Sequence, residues 1–495
     1  MSPDSSPLQG LLLSAASRCA QALLALISLM VLARYLGAHA WGLFATVALM
    51  VAVAELFVGP AVTEALLQRA DRQVNHYDAV FWLVTGLASL LTLVLGVLAA
   101  PLSTLFGVVE QRNVLLALAL LLPISAVNGL YQTLLQTQGR NRDLANVTAI
   151  ATMVGSCAGL FAALADQGLW ALFAIEAGRR ITLMIGLLYL ESWRPQWADA
   201  FRDADRLLQF NRHILADRML RQADHLIPKA LIAGLFGPQA LGCFVIARRM
   251  LDELAMLLTT PLRTVANAAV ARSAWQLELL HQVIESLYRT AALTALPVFL
   301  AVAALAPSLV TVLFGPGWDD VIVLIQVLMV VGIAQTTSTF SDLLLKSAGR
   351  PDASILLLGA AVLVQSLAIP LFMQWGVSGV ALAIALRYLL CWPIELSLIR
   401  HALDIGWRAQ LRPLWSPLFA ALMMVLMISL LSPLLLSSFS APAQLLIGLP
   451  LTLACYLAAL AMLAPATVKL AFGLAQAVVR RDQLRFNSLL TVFAG

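Results

Sequence analysis

Long apolar runs, each close to the length of a membrane-spanning helix, dominate this sequence. A helix that crosses the hydrocarbon core of a bilayer needs about 20 apolar residues, and polar or Pro/Gly-rich segments separate runs of that length here. Helices are expected because lipid offers no hydrogen-bond partner to an open strand, and barrel strands would be shorter and strictly alternating. The runs predict an all-α polytopic membrane protein with fourteen spans, near residues 11–33, 41–60, 78–100, 113–135, 144–165, 168–190, 213–235, 241–262, 286–313, 320–345, 354–374, 377–399, 413–436 and 442–464.

The composition excludes several classes of protein. Apolar residues make up 61% of the chain and charged residues only 12%, whereas soluble domains carry about 25% charged residues, so a water-soluble fold is excluded. The net charge of +5 is small and evenly spread, which excludes a nucleic-acid binder. The five cysteines lie far apart inside apolar runs without a C-x-x-C pattern and are interpreted as small core residues. No motif for a metal or another cofactor is present.

Lysine and arginine between the predicted spans lie almost entirely on one side. With an inside N-terminus, nineteen of them fall in the even-numbered loops and the tail, against Arg34 and Arg112 in the odd-numbered loops. Because positive charge marks the cytoplasmic side, both termini are predicted to be cytoplasmic. Tryptophans at the outer helix ends are interpreted as interfacial anchors, namely Trp41, Trp170, Trp318 and Trp375.

The two halves of the chain share an internal repeat. Residues 36–44 read LGAHAWGLF and residues 236–244 read FGPQALGCF, which matches four positions at an offset of 200. Three further matches follow in the same order, pairing Gly107 with Gly315, Gly139 with Gly349, and Gly168 with Gly376. The repeat unit contains six helices, and because six is even both copies enter the membrane from the same side. The alternative is that glycine-rich turns recur in any polytopic protein.

This repeat predicts two parallel six-helix lobes followed by two further spans. The N-terminal lobe covers residues 1–190, a cytoplasmic linker covers 191–212, and the C-terminal lobe covers 213–400. Two additional transmembrane helices occupy 401–464, and residues 465–495 form an amphipathic tail predicted to lie on the cytoplasmic membrane surface.

Two short motifs resemble a known transporter family. ARYLGAHAWGLF at 33–44 resembles the A-R-x-L-G-x-x-x-x-G signature of polysaccharide-synthesis-type oligosaccharide flippases, within the multidrug/oligosaccharidyl-lipid/polysaccharide exporter superfamily. In the second half, Asp224-x-x-Leu-Ile followed by Phe236-Gly237 and Ala247-Arg248 is similar to that family's seventh and eighth helices. The sequence departs from the family in placing Pro228 and Lys229 in the middle of helix 7.

The resemblance implies a function and a set of partners. It implies alternating-access movement of lipid-diphosphate-linked oligosaccharide or polysaccharide precursors from the inner to the outer leaflet of a bacterial inner membrane. The implied partners are a polyprenyl-diphosphate-linked glycan, membrane lipids and the glycan polymerase machinery, with no nucleic acid and no enzymatic activity.

Ionisable residues at membrane depth cost several kcal/mol and generally face a cavity or a partner, so they are the candidate site residues. Arg18 falls on Arg218 at the repeat offset of 200, which predicts two guanidinium groups at matching depth on opposite walls of one cavity. Arginine holds phosphate through a planar fork. The hypothesis is a phosphate path from the inner to the outer side that contains Arg18, Arg218, Arg221, Lys229, Arg248 and Arg249.

Nearby acidic residues give a competing structural interpretation. Arg248 with Asp252, and Asp217 with Arg221, are spaced as i, i+4 ion pairs that would simply neutralise each other. Glu55 is interpreted as an ion-pair partner of Arg18 or as a proton site, and Asp224 as a further charge partner.

Two rival functions remain open. A multidrug or organic-cation antiporter of the same fold would favour acidic cavity residues, whereas helices 1 and 6 together supply three arginines against one glutamate. A membrane glycan polymerase, ligase or glycosyltransferase would need a sizeable outer loop carrying catalytic groups, and the predicted outer loops are short.

Overall fold

The computed structural model describes residues 7–58, 74–197, 212–273, 277–431 and 439–465, and within these ranges its regular structure is helical, without strands. Two single-turn 3₁₀ helices lie at Val109–Gln111 and Met373–Trp375. The α-helices are α1 (Pro7–Val58), α2 (Val74–Leu105), α3 (Arg112–Ala119), α4 (Leu122–Thr137), α5 (Asn141–Leu164), α6 (Trp170–Leu190), α7 (Arg212–Ser273), α8 (Leu277–Ala304), α9 (Ala306–Leu313), α10 (Asp319–Ser347), α11 (Pro351–Phe372), α12 (Gly376–Leu403), α13 (Trp407–Leu431) and α14 (Ala441–Leu463).

The two longest helices, α1 and α7, are each interrupted at one glycine. Gly37 has φ of 72° in α1, and Gly237 has φ of 80° in α7. This backbone region is open to glycine and strained for residues that carry a Cβ. Each long helix therefore consists of two segments joined at a glycine, as expected for spans 1 and 2 and for spans 7 and 8.

The other glycines of the sequence repeat also share a backbone conformation with their counterparts. Positive φ values occur at both members of each pair, at Gly107 and Gly315, Gly139 and Gly349, and Gly168 and Gly376. All three pairs lie where one helix ends and the next begins.

The two copies of the repeated motif contact each other reciprocally. A Cβ added to Gly42 would overlap the carbonyl of Pro238, and one added to Gly242 would overlap the carbonyl of Ala38. These two contacts are equivalent at an offset of 200. We call the pair of segments 36–44 and 236–244 the glycine corners.

Contacts between residues divide the chain into two compact units. One comprises Leu23–Val245, and the other comprises Met1–Ala22 with Ile246–Gly495. The boundaries between these units fall inside α1 and α7 and do not coincide with the limits of the lobes 1–190 and 213–400, which remain a prediction.

The core of the unit Leu23–Val245 is built from small and branched apolar residues. Val47, Val80, Ala88 and Leu122 are fully buried where the second segment of α1 packs with α2, α3 and α4. Helices α5 and α6 approach closely at Gly155, where an added Cβ would meet the backbone of α6. Gly155 and Gly159, which are spaced i, i+4 on α5, allow this close packing.

Two apolar clusters and a cavity lie among the described residues of the other unit. Phe340 and Ile399 are fully buried between α10 and α12, while Ala420, Ala421 and Met424 pack α13 against α8 and α14. An apolar cavity of about 300 Å³ lies between α8, α10, α12 and α13.

Many helices of this chain can cross a membrane. Within the described residues, ten segments are long and apolar enough to do so. The expected all-helical membrane fold is confirmed, and the number of fourteen spans remains a prediction. Most of the predicted linker, at 198–211, and the predicted amphipathic tail from 466 onward lie outside the described residues.

The expected anchoring role of tryptophan is wrong at two of the four outer positions. Trp41 and Trp318 are only 4% and 2% exposed, and a ring enclosed by protein cannot rest in the lipid interface. Trp170 and Trp375 are exposed, as an anchor requires. The four described cysteines are free, and Cys157 is exposed rather than part of the core.

Candidate substrate-binding residues

The first segment of α7 carries cationic side chains along one face. Arg218, Arg221, His225 and Lys229 follow the spacing i, i+3, i+7 and i+11, which places them on one side of a helix. At 1.5 Å per residue they extend over about 16 Å. Arg218 is exposed, and the other three are half-buried. We call this set the cationic face of α7.

An acidic neighbour is paired with one member of this face. Arg221 Nη2 lies 3.0 Å from Asp217 Oδ1, and Arg221 Nε donates to Asp217 Oδ2 at 3.0 Å. This is the ion pair expected from the i, i+4 spacing. Asp224, the other expected charge partner, is half-buried one turn beyond Arg221. Arg221 therefore belongs both to this ion pair and to the cationic face of α7.

Arg248 and Arg249 lie further along α7, in the unit that begins at Ile246. Arg248 is 8% exposed, and its Nε lies 3.1 Å from Asp252 Oδ1. Arg249 is half-buried. The structural interpretation of Arg248 is thus supported by an observed ion pair.

The backbone of Arg18 lies in α1, but its side chain is outside the described residues. The predicted pairing of Glu55 with Arg18 therefore remains a prediction, as does the matching depth of Arg18 and Arg218.

Glu55 belongs to a polar cluster inside the unit Leu23–Val245. Its Oε1 accepts hydrogen bonds from Ser125 Oγ of α4 at 3.1 Å and from Arg180 Nη1 of α6. Arg180 Nε also donates to Glu176 Oε2 at 3.3 Å, and Arg179 Nη2 donates to the same oxygen at 2.7 Å. Two arginines and two glutamates from α1 and α6 thus form one network, which we call the Glu55 cluster.

The Glu55 cluster is largely enclosed and electrically balanced. The side chains of Arg180 and Glu55 are 14% and 25% exposed. Asn128 adds a second contact between α4 and α6, because its side-chain amide donates to the backbone carbonyl of Arg180 at 3.0 Å. Glu176 and Arg180 are i, i+4 neighbours on one helix, whereas no spacing in the sequence indicates the contact between Glu55 and Arg180, which are far apart in the chain.

A second polar and aromatic cluster holds the segment that follows α6. Trp193 packs against Tyr77, Phe81 and Tyr131, with its ring centroid 5.6 to 6.3 Å from theirs. Tyr131 donates to the carbonyl of Trp193 at 3.2 Å. The start of the predicted linker is thus fixed to α2 and α4.

More than half of this chain matches the model of one protein family. The model of a family described as polysaccharide biosynthesis proteins matches residues 31–323, which is more than half of the chain.

Curated relatives align with more than half of this chain at low sequence identity. The lipopolysaccharide biosynthesis protein WzxC of Escherichia coli is 21% identical over 81% of this chain and 82% of its own length. The succinoglycan biosynthesis transport protein ExoT of Rhizobium meliloti is 22% identical over 59% of each chain. The teichuronic acid biosynthesis protein TuaB of Bacillus subtilis is 22% identical, and the alignment covers 58% of this chain and 60% of TuaB. The chain therefore spans about three fifths of ExoT and TuaB.

Solved structures share the fold. The lipid II flippase MurJ in an inward closed conformation gives a TM-score of 0.76 at 10% identity, covering 92% of this chain and 100% of that chain. An inward-facing multidrug resistance MATE family transporter of the MOP superfamily gives 0.58 at 17% identity, covering 79% and 98%. At these identities the similarity establishes a shared helical transporter fold and nothing about substrate.

Proposed function

Because the chain belongs to the family of polysaccharide biosynthesis proteins, we propose that it is a non-enzymatic flippase for lipid-diphosphate-linked glycan precursors. It moves the oligosaccharide or polysaccharide precursor from the inner to the outer leaflet of a bacterial cytoplasmic membrane. The transport role in the name of ExoT and the lipopolysaccharide biosynthesis role in the name of WzxC support this class of cargo.

The observation that carries the proposal is the cationic face of α7. A diphosphate that crosses a membrane must exchange its hydration for other donors, and arginine supplies two parallel N–H groups to a phosphate. The face presents Arg218, Arg221 and Lys229 in succession along about 16 Å of helix. Such a series offers a diphosphate successive sites rather than one tight site.

The proposed phosphate path keeps Arg18, Arg248 and Arg249 as further members. Arg248 is the weakest of them, because its side chain is 9% exposed in its ion pair with Asp252, whereas that of Arg221 stays 37% exposed in its ion pair with Asp217. The centre of the path is therefore formed by the residues of α7 that precede Gly237, namely Arg218, Arg221 and Lys229.

The proposed architecture is fourteen transmembrane helices, arranged as two parallel six-helix repeats with two additional C-terminal helices. The reciprocal contact of the glycine corners supports this layout, because a two-fold contact pairs each residue with the counterpart of its partner. The matching positive φ values of the repeat glycines support it as well.

The one-sided distribution of positive charge supports a cytoplasmic position for both termini. In that topology the glycine corners lie on the outer face, and the polyprenyl-linked glycan enters from the cytoplasmic leaflet. The glycan polymerase that would use the exported precursor is the proposed protein partner.

The main alternative is an organic-cation antiporter, since a MATE transporter shares the fold. Such a protein needs carboxylates free to receive a cation. In the unit Leu23–Val245, Glu55 and Glu176 are instead engaged by Arg180 and Arg179. This arrangement favours an anionic cargo.

Replacing Arg218 or Arg18 by alanine tests the phosphate path. A hydrogen bond to a charged group contributes about 1.5–3 kcal/mol, so each variant should lower glycan export about tenfold or more. Surface glycan is measured in a deletion strain that carries each variant, with membrane abundance determined in parallel.

The matched control is Arg112→Ala, which removes an exposed arginine from the predicted outer side and should leave export unchanged. Export at the wild-type level in both Arg218→Ala and Arg18→Ala would refute the phosphate path. Efflux of cationic dyes by the wild-type protein, without glycan export, would favour the antiporter.

A further inference from the structure

Glu395 is a buried carboxyl in the middle of α12. The residue is 3% exposed, and its Oε2 accepts a hydrogen bond from Ser338 Oγ of α10 at 2.8 Å. Its Oε1 is buried without a hydrogen-bond partner among the residues that the structure describes. A buried carboxyl oxygen left in this state is costly and calls for a ligand.

Hydroxyl groups from two other helices surround this carboxyl. Tyr288 Oη of α8 lies 2.8 Å from Ser341 Oγ of α10, and Ser341 Oγ in turn donates to the carbonyl of Thr337 at 3.4 Å. Ser341 also lies beside the Glu395 carboxyl. A hydroxyl both donates and accepts hydrogen bonds, so Ser341 Oγ is a suitable acceptor for the proton of a protonated Glu395 carboxyl.

No basic side chain forms an ion pair with Glu395 in the part of the chain that the structure describes. Arg387, on the same helix, is about 12 Å away along the axis; its Nη1 donates to Gln365 of α11 at 3.2 Å. Asp342 of α10 adds a like charge, although Lys346 lies 3.1 Å from it.

Within the described ranges, the charged residues of the remaining elements form no ion pair with Glu395. On α8, Tyr288 contacts Ser341, whereas Glu285 and Arg289 pair with each other at 2.7 Å. On α13, Arg408 and Arg412 are exposed, and Gln410 donates to the carbonyl of Leu396 at 3.2 Å. An unpaired carboxylate in this setting would cost several kcal/mol. Binding one proton removes that cost.

A metal cation fits this site poorly. The carboxyl group and the hydroxyls of Ser338, Ser341 and Tyr288 provide few oxygen ligands, whereas a hard cation such as Ca²⁺ takes six to eight. A proton needs only the free Oε1 and one nearby acceptor.

We propose that Glu395 is a proton-binding site that couples the transport cycle to proton movement, an inference that rests on the proposed flippase function. Oε1 takes one proton from solution on one side of the membrane, forming an O–H bond, and releases it to solution on the other side. The apolar cavity of about 300 Å³ lies within one helical turn of the site, since Trp392 lines it. This cavity leaves room for α12 to shift when the charge on Glu395 changes.

Infrared spectroscopy of the purified full-length protein in lipid nanodiscs tests proton binding directly. Wild-type protein near neutral pH should show the carbonyl band of a protonated carboxylic acid, and the Glu395→Gln variant should lack that band. The matched control, Glu55→Gln, should retain it, because Glu55 forms an ion pair with Arg180. A band that is unchanged in Glu395→Gln would overturn the proposal.

Glycan export in a deletion strain tests coupling. Glu395→Gln, which cannot release a proton, should lose export at normal membrane abundance, whereas Glu395→Asp should retain part of it. Wild-type export by Glu395→Gln would refute coupling while leaving the flippase function intact. If wild-type protein itself restores no glycan, the proposed function fails, and the infrared result still decides whether Glu395 binds a proton.

Discussion

Replacing Arg180 by alanine is expected to lower the free energy of unfolding by about 3–5 kcal/mol, the usual cost of removing one partner of a buried ion pair. The change leaves Glu55 and Glu176 as neighbouring carboxylates without the guanidinium group that joins them. It also removes a donor to Ser125 at 2.5 Å, which links α6 to α4. Thermal unfolding of the purified protein in a fixed detergent measures the effect.

Arg289→Ala is the matched control for this experiment. Arg289 forms an i, i+4 ion pair with Glu285 at 2.7 Å, but both side chains are more than a third exposed. Exposed pairs of this kind contribute about 0.3–0.5 kcal/mol. Equal destabilisation by Arg180→Ala and Arg289→Ala would show that the Glu55 cluster has no special structural role.

Introducing a methyl group at Gly42 should destabilise the protein by about 3 kcal/mol, at the upper end of the usual cost of overpacking. In Gly42→Ala the new Cβ would overlap the carbonyl of Pro238, and backbone atoms cannot move aside as a flexible side chain can. Gly242→Ala should act in the same direction, because its Cβ would overlap the carbonyl of Ala38. The yield of monodisperse protein and the unfolding temperature report the loss.

Gly86→Ala in α2 provides the comparison. No atom lies within 4 Å of a Cβ built at Gly86, and alanine is favoured over glycine inside a helix by about 1 kcal/mol. The variant should therefore be neutral or more stable. If Gly42→Ala behaved like Gly86→Ala, the close contact of the glycine corners would be refuted.

Helix positions were predictable from the sequence because the membrane imposes both length and composition. The span expected at 168–190 corresponds to Trp170–Leu190, and the span expected at 377–399 lies inside Gly376–Leu403. The breaks at Gly37 and Gly237 were predictable as well, since a repeated glycine between apolar runs marks a turn.

Contacts between distant helices were not predictable in the same way. Helical spacing pairs Glu176 with Arg180, but the partnership of Glu55 with Arg180 depends on how α1 and α6 pack. The sequence does not distinguish a tryptophan at a helix end that faces lipid from one that packs inside the protein, so the predicted anchoring role of Trp41 and Trp318 was wrong. The buried position of Glu395 likewise depends on tertiary packing.

The glycine corners constrain how the two halves of the chain can diverge. Gly42 and Gly242 each contact the backbone of the opposite corner. A larger residue at either position would therefore require the backbone of the other corner to move away. In the proposed repeat, equivalent positions elsewhere are not held in this way: Arg179, which falls on Arg387 at an offset of 208, pairs with Glu176, whereas Arg387 donates to Gln365. For a repeat that arose by gene duplication, sequence similarity between the copies should therefore persist longest at this contact, even after the rest of the two copies has diverged.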